Sequence, residues 1–143
     1  MSTHPITLGQ LRALVSGMPF NSLLGIKVAR MHADGVTVEI PFREEMRNSA
    51  GVLHGGVSAT LVDAAVGIAI TRHFGGRRLA TTVEMKINYF RPIDSGKVAA
   101  RSRLLRVGST LIVGSVELRN GKGELAGAAL VTYMLLGTGQ RAG

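Results

Sequence analysis

The 143 residues, 45% hydrophobic and 18% charged, are enough for one globular domain with its own core, spanning 1–143, and too few for two. With no cysteine there is no disulfide, no thiolate nucleophile and no cysteine-based zinc site, a composition that fits a reducing cytoplasm. The net charge of +8 favours anionic partners or serves solubility, but 4% aromatic residues and no tryptophan leave little to stack on bases, so nucleic acid is not an expected partner.

Residues 7–17 carry Leu8, Leu11, Leu14 and Val15 at helical spacing, and Gly17 suits a stop. Met18 to Gly25 reads as a turn into the first strand, anchored by Phe20, Leu23 and Leu24. Residues 26–32 and 36–42 flank Asp34-Gly35, a hairpin signal. Val36, Val38 and Ile40 alternate with Thr37 and Glu39, and Pro41 ends that strand or marks an edge. A polar loop over 43–54 leads into a long helix, roughly 56–73, which Gly75-Gly76 ends. Beyond it the period is two: Val83, Met85, Ile87 and Tyr89 alternate with Thr82, Glu84, Lys86 and Asn88. Residues 97–107 and 110–119 are strands split at Gly108-Ser109, and Asn120-Gly121 begins a turn into a last strand, 124–136, before a frayed tail. One long apolar helix, about six mostly antiparallel strands and a short N-terminal helix make an α+β domain, with the sheet wrapped around the long helix.

Asp63 is the only formal charge between Gly55 and Thr71. A carboxylate in so apolar a stretch is costly unless something uses or compensates it. The Gly55-Gly56 pair marks a helix start, where backbone N–H groups point outward unpaired. On a helical wheel Val57, Leu61, Ala64 and Ile68 form one stripe, and Ala59, Asp63, Val66, Gly67 and Ile70 lie on the other side. Both sides are apolar or small, and one sheet covers only one of them, so a symmetric partner chain is the economical cover for the second. From Gly55 to Asp63 is about 12 Å of helical rise. Both groups must come within roughly 3 Å of one substrate atom group to act together. Two antiparallel helices related by a twofold axis bring one chain's Gly55 to the other's Asp63, which predicts two composite sites per dimer.

Asn48-Ser-Ala-Gly-Val-Leu-His54-Gly55-Gly56, Thr60-Leu-Val-Asp63 and Thr82-Val-Glu-Met-Lys-Ile-Asn-Tyr-Phe-Arg91-Pro92 resemble the PaaI-type acyl-CoA thioesterases of the hotdog-fold superfamily, over roughly residues 20–136. The resemblance implies a long helix wrapped by an antiparallel sheet, a homodimer often paired into a homotetramer, and active sites shared across the subunit interface. It implies Asp63 as general base on water or as nucleophile, and the Gly55 N–H as oxyanion donor. Asn48 would orient the carbonyl or the water, His54 would position its loop or assist the thiolate, and Thr82 would hold the water or Asp63 from the other chain. Strict alternation puts Thr81, not Thr82, on the face of Val83 and Met85, and a bulge would reconcile the two; Thr81 is kept as a substitute. Gly56, Arg91, Arg106 and the Gly108-Ser109-Thr110 turn are the implied contacts to substrate and to the coenzyme A phosphates. The basic residue that the family often has near Ser109 is missing. No cofactor is expected, coenzyme A being part of the substrate, and no metal or membrane.

Other readings stay beside this one. A hotdog hydratase or dehydratase relies on a histidine–acid pattern not found here. A non-catalytic acyl-CoA-binding module would not need the intact Asp63. His4, His32 and His73 show no metal spacing, and Met46, Met85 and Met134 read as ordinary packing before any acyl tunnel.

Overall fold

The computed structural model describes residues 5–137, so His4 and nearly all of the expected frayed tail lie outside it. Thr7 and Gln10 exchange side-chain and backbone hydrogen bonds in a capping box that starts α1 (Leu8–Ser16), which buries Leu11 and Val15. A second helix, α2 (Pro19–Leu24), stands where the sequence reads as a turn. Its signals are Pro19 at the first position and Gly25 past the end, the latter left-handed at φ 72°. Its apolar residues are not the expected anchors: Leu24 packs on the core, but Phe20 and Leu23 are 57% and 67% exposed.

β1 (Lys27–His32) and β2 (Gly35–Pro41) form the first hairpin. A turn at Glu44–Met46 drops Met46 into the core before α3 (Gly55–His73). Then follow β3 (Ala80–Tyr89), β4 (Lys97–Val107), β5 (Leu111–Arg119) and β6 (Leu125–Leu135). The six strands form one antiparallel sheet in the order β1-β2-β4-β5-β6-β3. α3 packs against β2, β4, β5, β6 and β3, so the sheet wraps one long helix. Alternating residues Val36, Val38 and Ile40 of β2, and Ile112, Val116 and Leu118 of β5, are buried toward it.

The core also reaches further round α3 than the wheel suggested. Val66 and Ile70, assigned to the side a second chain would cover, are buried within this one chain, along with Leu61 and Ile68. What stays half-open is a narrower strip of small residues, Ala59, Thr60, Ala64 and Gly67, with Asp63 among them.

The two sheet edges differ. The carbonyls of Val28 and Ala29 on β1 accept hydrogen bonds from the Arg12 guanidinium of α1. Among the described residues nothing comparable covers the outer edge of the ten-residue β3, where Val83 and Tyr89 are half-exposed.

Asp34-Gly35 marks the hairpin, but not through a left-handed turn. The turn residues are Ala33 and Asp34, since His32 already pairs with Gly35, and Gly35 has no positive φ. Glycine is required there by contact: a Cβ would fall 2.0 Å from the Ser102 carbonyl oxygen on β4. Gly35→Ala must therefore push β2 from β4, and we expect it to destabilise the fold by about 3 kcal/mol, as severe overpacking does. Urea denaturation checks this, and an unchanged midpoint would refute the close approach.

Candidate active site

Asp63 is half-buried near the middle of α3. Its Oδ1 accepts two hydroxyl hydrogen bonds, from Thr82 of β3 at 2.8 Å and from Tyr133 of β6 at 2.8 Å. The Tyr133 hydroxyl also lies 2.9 Å from the Asp63 carbonyl oxygen. Two strands thus answer the charge that the helix itself cannot.

A bulge brings Thr82 there. The pairing of β3 with β6 shifts register between Thr82 and Glu84, which leaves Val83 as the extra residue. Before the bulge Thr82 pairs with the inward Tyr133; after it Met85 and Ile87 pair with the inward Val131 and Ala129. Thr82 therefore shares the helix-facing side with Met85 and Ile87. Thr81 pairs with Met134 and is exposed, outside contact with Asp63. One expectation is corrected: Thr82 reaches Asp63 within its own chain, so this contact needs no partner.

Tyr133 escaped the sequence reading. A signal for it exists, because a tyrosine on the inward face of a strand must find a partner for its hydroxyl, and Asp63 is the charge on the helix it faces. Burial is the main cause that pushes its phenol well above the ordinary range, and the Asp63 charge adds to it. Tyr133 is therefore a donor at any physiological pH.

The second group of candidates lies at the helix N-terminus. His54 is the N-cap, and its Nδ1 accepts the Gly56 N–H at 2.8 Å. The N–H groups of Val57 and Ser58 go to the His54 carbonyl at 2.9 and 3.4 Å. The Gly55 N–H, at the positive end of the helix dipole, has no acceptor among the described residues. His54 thus has a capping task, and the Gly56 N–H is already engaged by it. Asn48 accepts from the Ala50 and Val52 N–H groups through Oδ1, at 2.9 and 3.2 Å, which closes the preceding loop. Its amide NH₂ stays available as a donor.

Asn48, Gly55, Tyr89, Phe90 and Arg91 line one cavity of about 350 Å³. The Tyr89 hydroxyl, also unforeseen, donates to the Gly55 carbonyl at 2.5 Å. Arg91 is ion-paired to Glu124 at 2.5 Å.

The structure brings the candidates into two clusters within one chain, Asp63–Thr82–Tyr133 and Asn48–Gly55–Arg91. It does not merge them. Thr82, Tyr133 and Ile112 lie in one row across β3, β6 and β5, so the Gly108-Ser109-Thr110 turn and Arg106 sit toward the Asp63 end of the sheet. Tyr89 pairs with Gly127 at the far end, beside Arg91. Arg106 is exposed and forms no ion pair among the described residues. Beyond Asp63, a larger cavity of about 760 Å³ is lined by Leu14, Met18, Ala64, Gly67, Ala80 and Tyr133, among others. Among the described residues no group of three His, Asp or Glu is placed to hold a metal, and no helix is long and apolar enough to cross a membrane.

Residues 50–127 match the family model described as the thioesterase superfamily. The medium/long-chain acyl-CoA thioesterase YigI of Escherichia coli is 31% identical over 133 residues, covering 82% of this chain and 86% of that protein. The crystal structure of a thioesterase from Haemophilus influenzae superposes with a TM-score of 0.87 at 25% identity, over 99% of each chain. A thioesterase family protein from Silicibacter pomeroyi gives a TM-score of 0.80 at 25% identity, over 88% of this chain and 95% of that one.

The cap at His54 makes its own prediction. His54→Ala removes the acceptor for the Gly56 N–H and is expected to cost about 1 kcal/mol, whereas His54→Asn keeps a capping oxygen and most of that stability. Thermal melts of the two variants test this, and equal melting points would show that the ring does not cap.

Proposed function

This chain belongs to the hotdog-fold thioesterase superfamily, and from that premise we propose that it hydrolyses acyl-CoA thioesters to the free acid and coenzyme A. The observation that carries the reading is a carboxylate in an apolar helix with one oxygen saturated by two hydroxyls and the other left without them. Asp63 then acts through Oδ2 as general base. It takes a proton from water, and the hydroxide adds to the thioester carbonyl carbon. The tetrahedral oxyanion is held by the Gly55 N–H, the free donor at a helix N-terminus, and by the Asn48 NH₂. When the intermediate collapses the C–S bond breaks, and the proton on Asp63 returns to the coenzyme A sulfur. No further cofactor enters this sequence of steps.

The site in this proposal is composite, because Gly55 and Asp63 of one chain are about 12 Å apart along the helix. Two features support a homodimer: the uncovered edge of β3 and the strip of small residues along α3. Exposed Leu111 and Leu130, on the sheet face away from α3, offer a second surface through which dimers would pair into tetramers. Arg106 and the Gly108-Ser109-Thr110 turn are the proposed contacts for the coenzyme A phosphates. Arg91, already neutralised by Glu124, contributes less. His54 followed by Gly55-Gly56 and then Asp63 supports the PaaI type, and the reading makes it a cytoplasmic enzyme.

Release of free thiol from a panel of acyl-CoA esters tests the activity. Asp63→Asn is expected to lower turnover about a hundredfold or more while the protein still folds and binds ligand. Equal release by both forms would remove Asp63 from the mechanism. Tight ester binding without any release would make the protein an acyl-CoA-binding module instead.

Mixing two inactive variants tests the shared site. Asp63→Asn and Asn48→Ala chains, unfolded and refolded together, should re-form one intact site in each mixed dimer. Random pairing then recovers about a quarter of wild-type activity. No recovery in mixed dimers verified by tagging would mean that each site lies within one chain.

A further inference from the structure

Tyr133 and Gly67 carry a second layer of meaning at this site, one that rests on the reading of Asp63 given above. We propose that Tyr133 is a positioning residue which, together with Thr82, fixes the Asp63 carboxylate in one orientation, and that Gly67 is glycine so that the Tyr133 hydroxyl can take that place.

The carboxylate of a helical aspartate swings about its terminal torsion, which is broad and nearly twofold. Here two hydroxyls from two different strands converge on the same oxygen, Oδ1, each at 2.8 Å. The single phenolic hydrogen of Tyr133 is shared between that oxygen and the Asp63 carbonyl, 2.9 Å away, so it is tied to both ends of one residue. Rotating the carboxylate breaks two charge-assisted bonds at once. Oδ2 is thereby singled out as the oxygen that meets water or substrate. Tyr133 is only 7% exposed, so it holds Asp63 from the core side and does not itself need to reach the reacting atoms.

Gly67 lies four residues after Asp63, on the same face of α3. A glycine inside a helix is less favourable than alanine, so a reason for it is wanted. A Cβ at position 67 would fall 2.8 Å from the Tyr133 hydroxyl oxygen and 3.4 Å from the ring carbon that bears it. The hydroxyl therefore sits in the notch that Gly67 leaves beside Asp63. An alanine would shift it away from the carboxylate without removing any polar group.

Three variants test the assignment: Tyr133→Phe, Gly67→Ala and the two combined, with circular dichroism and sedimentation as folding controls. Each single variant is expected to lower kcat about tenfold or more, as loss of a hydrogen bond to a charged group does, with KM within about twofold. The double variant should be no slower than Tyr133→Phe alone, because both changes remove the same contact. Wild-type kcat in both single variants, or losses that multiply in the double variant, would overturn the proposal. Gly67→Ala keeps the proposal testable even where Tyr133→Phe packs poorly. Asp63→Asn run in parallel separates the two levels. If it releases thiol at the wild-type rate, the reading of Asp63 falls; if it is inactive while Tyr133→Phe and Gly67→Ala are fully active, only the positioning role falls.

Discussion

An ionised carboxylate in the middle of an apolar helix has to be met by donors from outside that helix, and much of this molecule is arranged around meeting it. Among the described residues Asp63 forms no ion pair with lysine or arginine; it has two hydroxyls. Neutral donors stabilise the charge without cancelling it, whereas a salt bridge would neutralise it. The bulge at Val83 breaks regular pairing and Gly67 leaves a side chain out of an unbroken helix, and both let a hydroxyl reach the same oxygen. Without the bulge Thr82 would lie on the other face, and with a side chain at position 67 the Tyr133 hydroxyl would lose its space.

The other end of α3 shows the complementary arrangement. A helix start offers several unpaired N–H groups, and here the His54 ring and the His54 carbonyl take up those of Gly56, Val57 and Ser58. Among the described residues one donor, at Gly55, is left, and Asn48 and the Tyr89 ring stand round it. A single donor in a defined direction serves an oxyanion better than a frayed turn with four, because its orientation costs no rearrangement during reaction. The same helix therefore carries a carboxylate at its middle and, among the described residues, an N–H without an acceptor at its start, and its own rise keeps the two apart.

The patterns with strong periodicity were legible from residues alone. Alternation over 36–40, the strand reading of 110–119, the long apolar run after His54 and the glycine pair after it translated directly into β2, β5 and α3. Asp63 was legible as well, since one charge in such a run is conspicuous. Features that depend on tertiary contact were not. Phe20 and Leu23 look like anchors but face outward, because the segment forms the helix α2 where a turn was expected. Gly35 looks like a turn glycine but is demanded by the neighbouring strand. Tyr133 is seventy residues from Asp63 in sequence, and no local pattern connects them; only the strand register does. Thr82 against Thr81 could be posed as a question from alternation, yet a bulge is a property of the pairing and not of either strand.

The unequal edges of the sheet have a consequence for growth. Arg12 occupies carbonyls on the β1 side, and among the described residues the β3 side is open. A sheet able to extend at both ends invites unlimited stacking into fibres. One whose far end is plugged by a guanidinium can be joined only at the near end, and two such sheets joined near end to near end present nothing but plugged ends to a third. A single arginine on a nine-residue helix thus leaves β3, among the described residues, as the edge at which another strand can add.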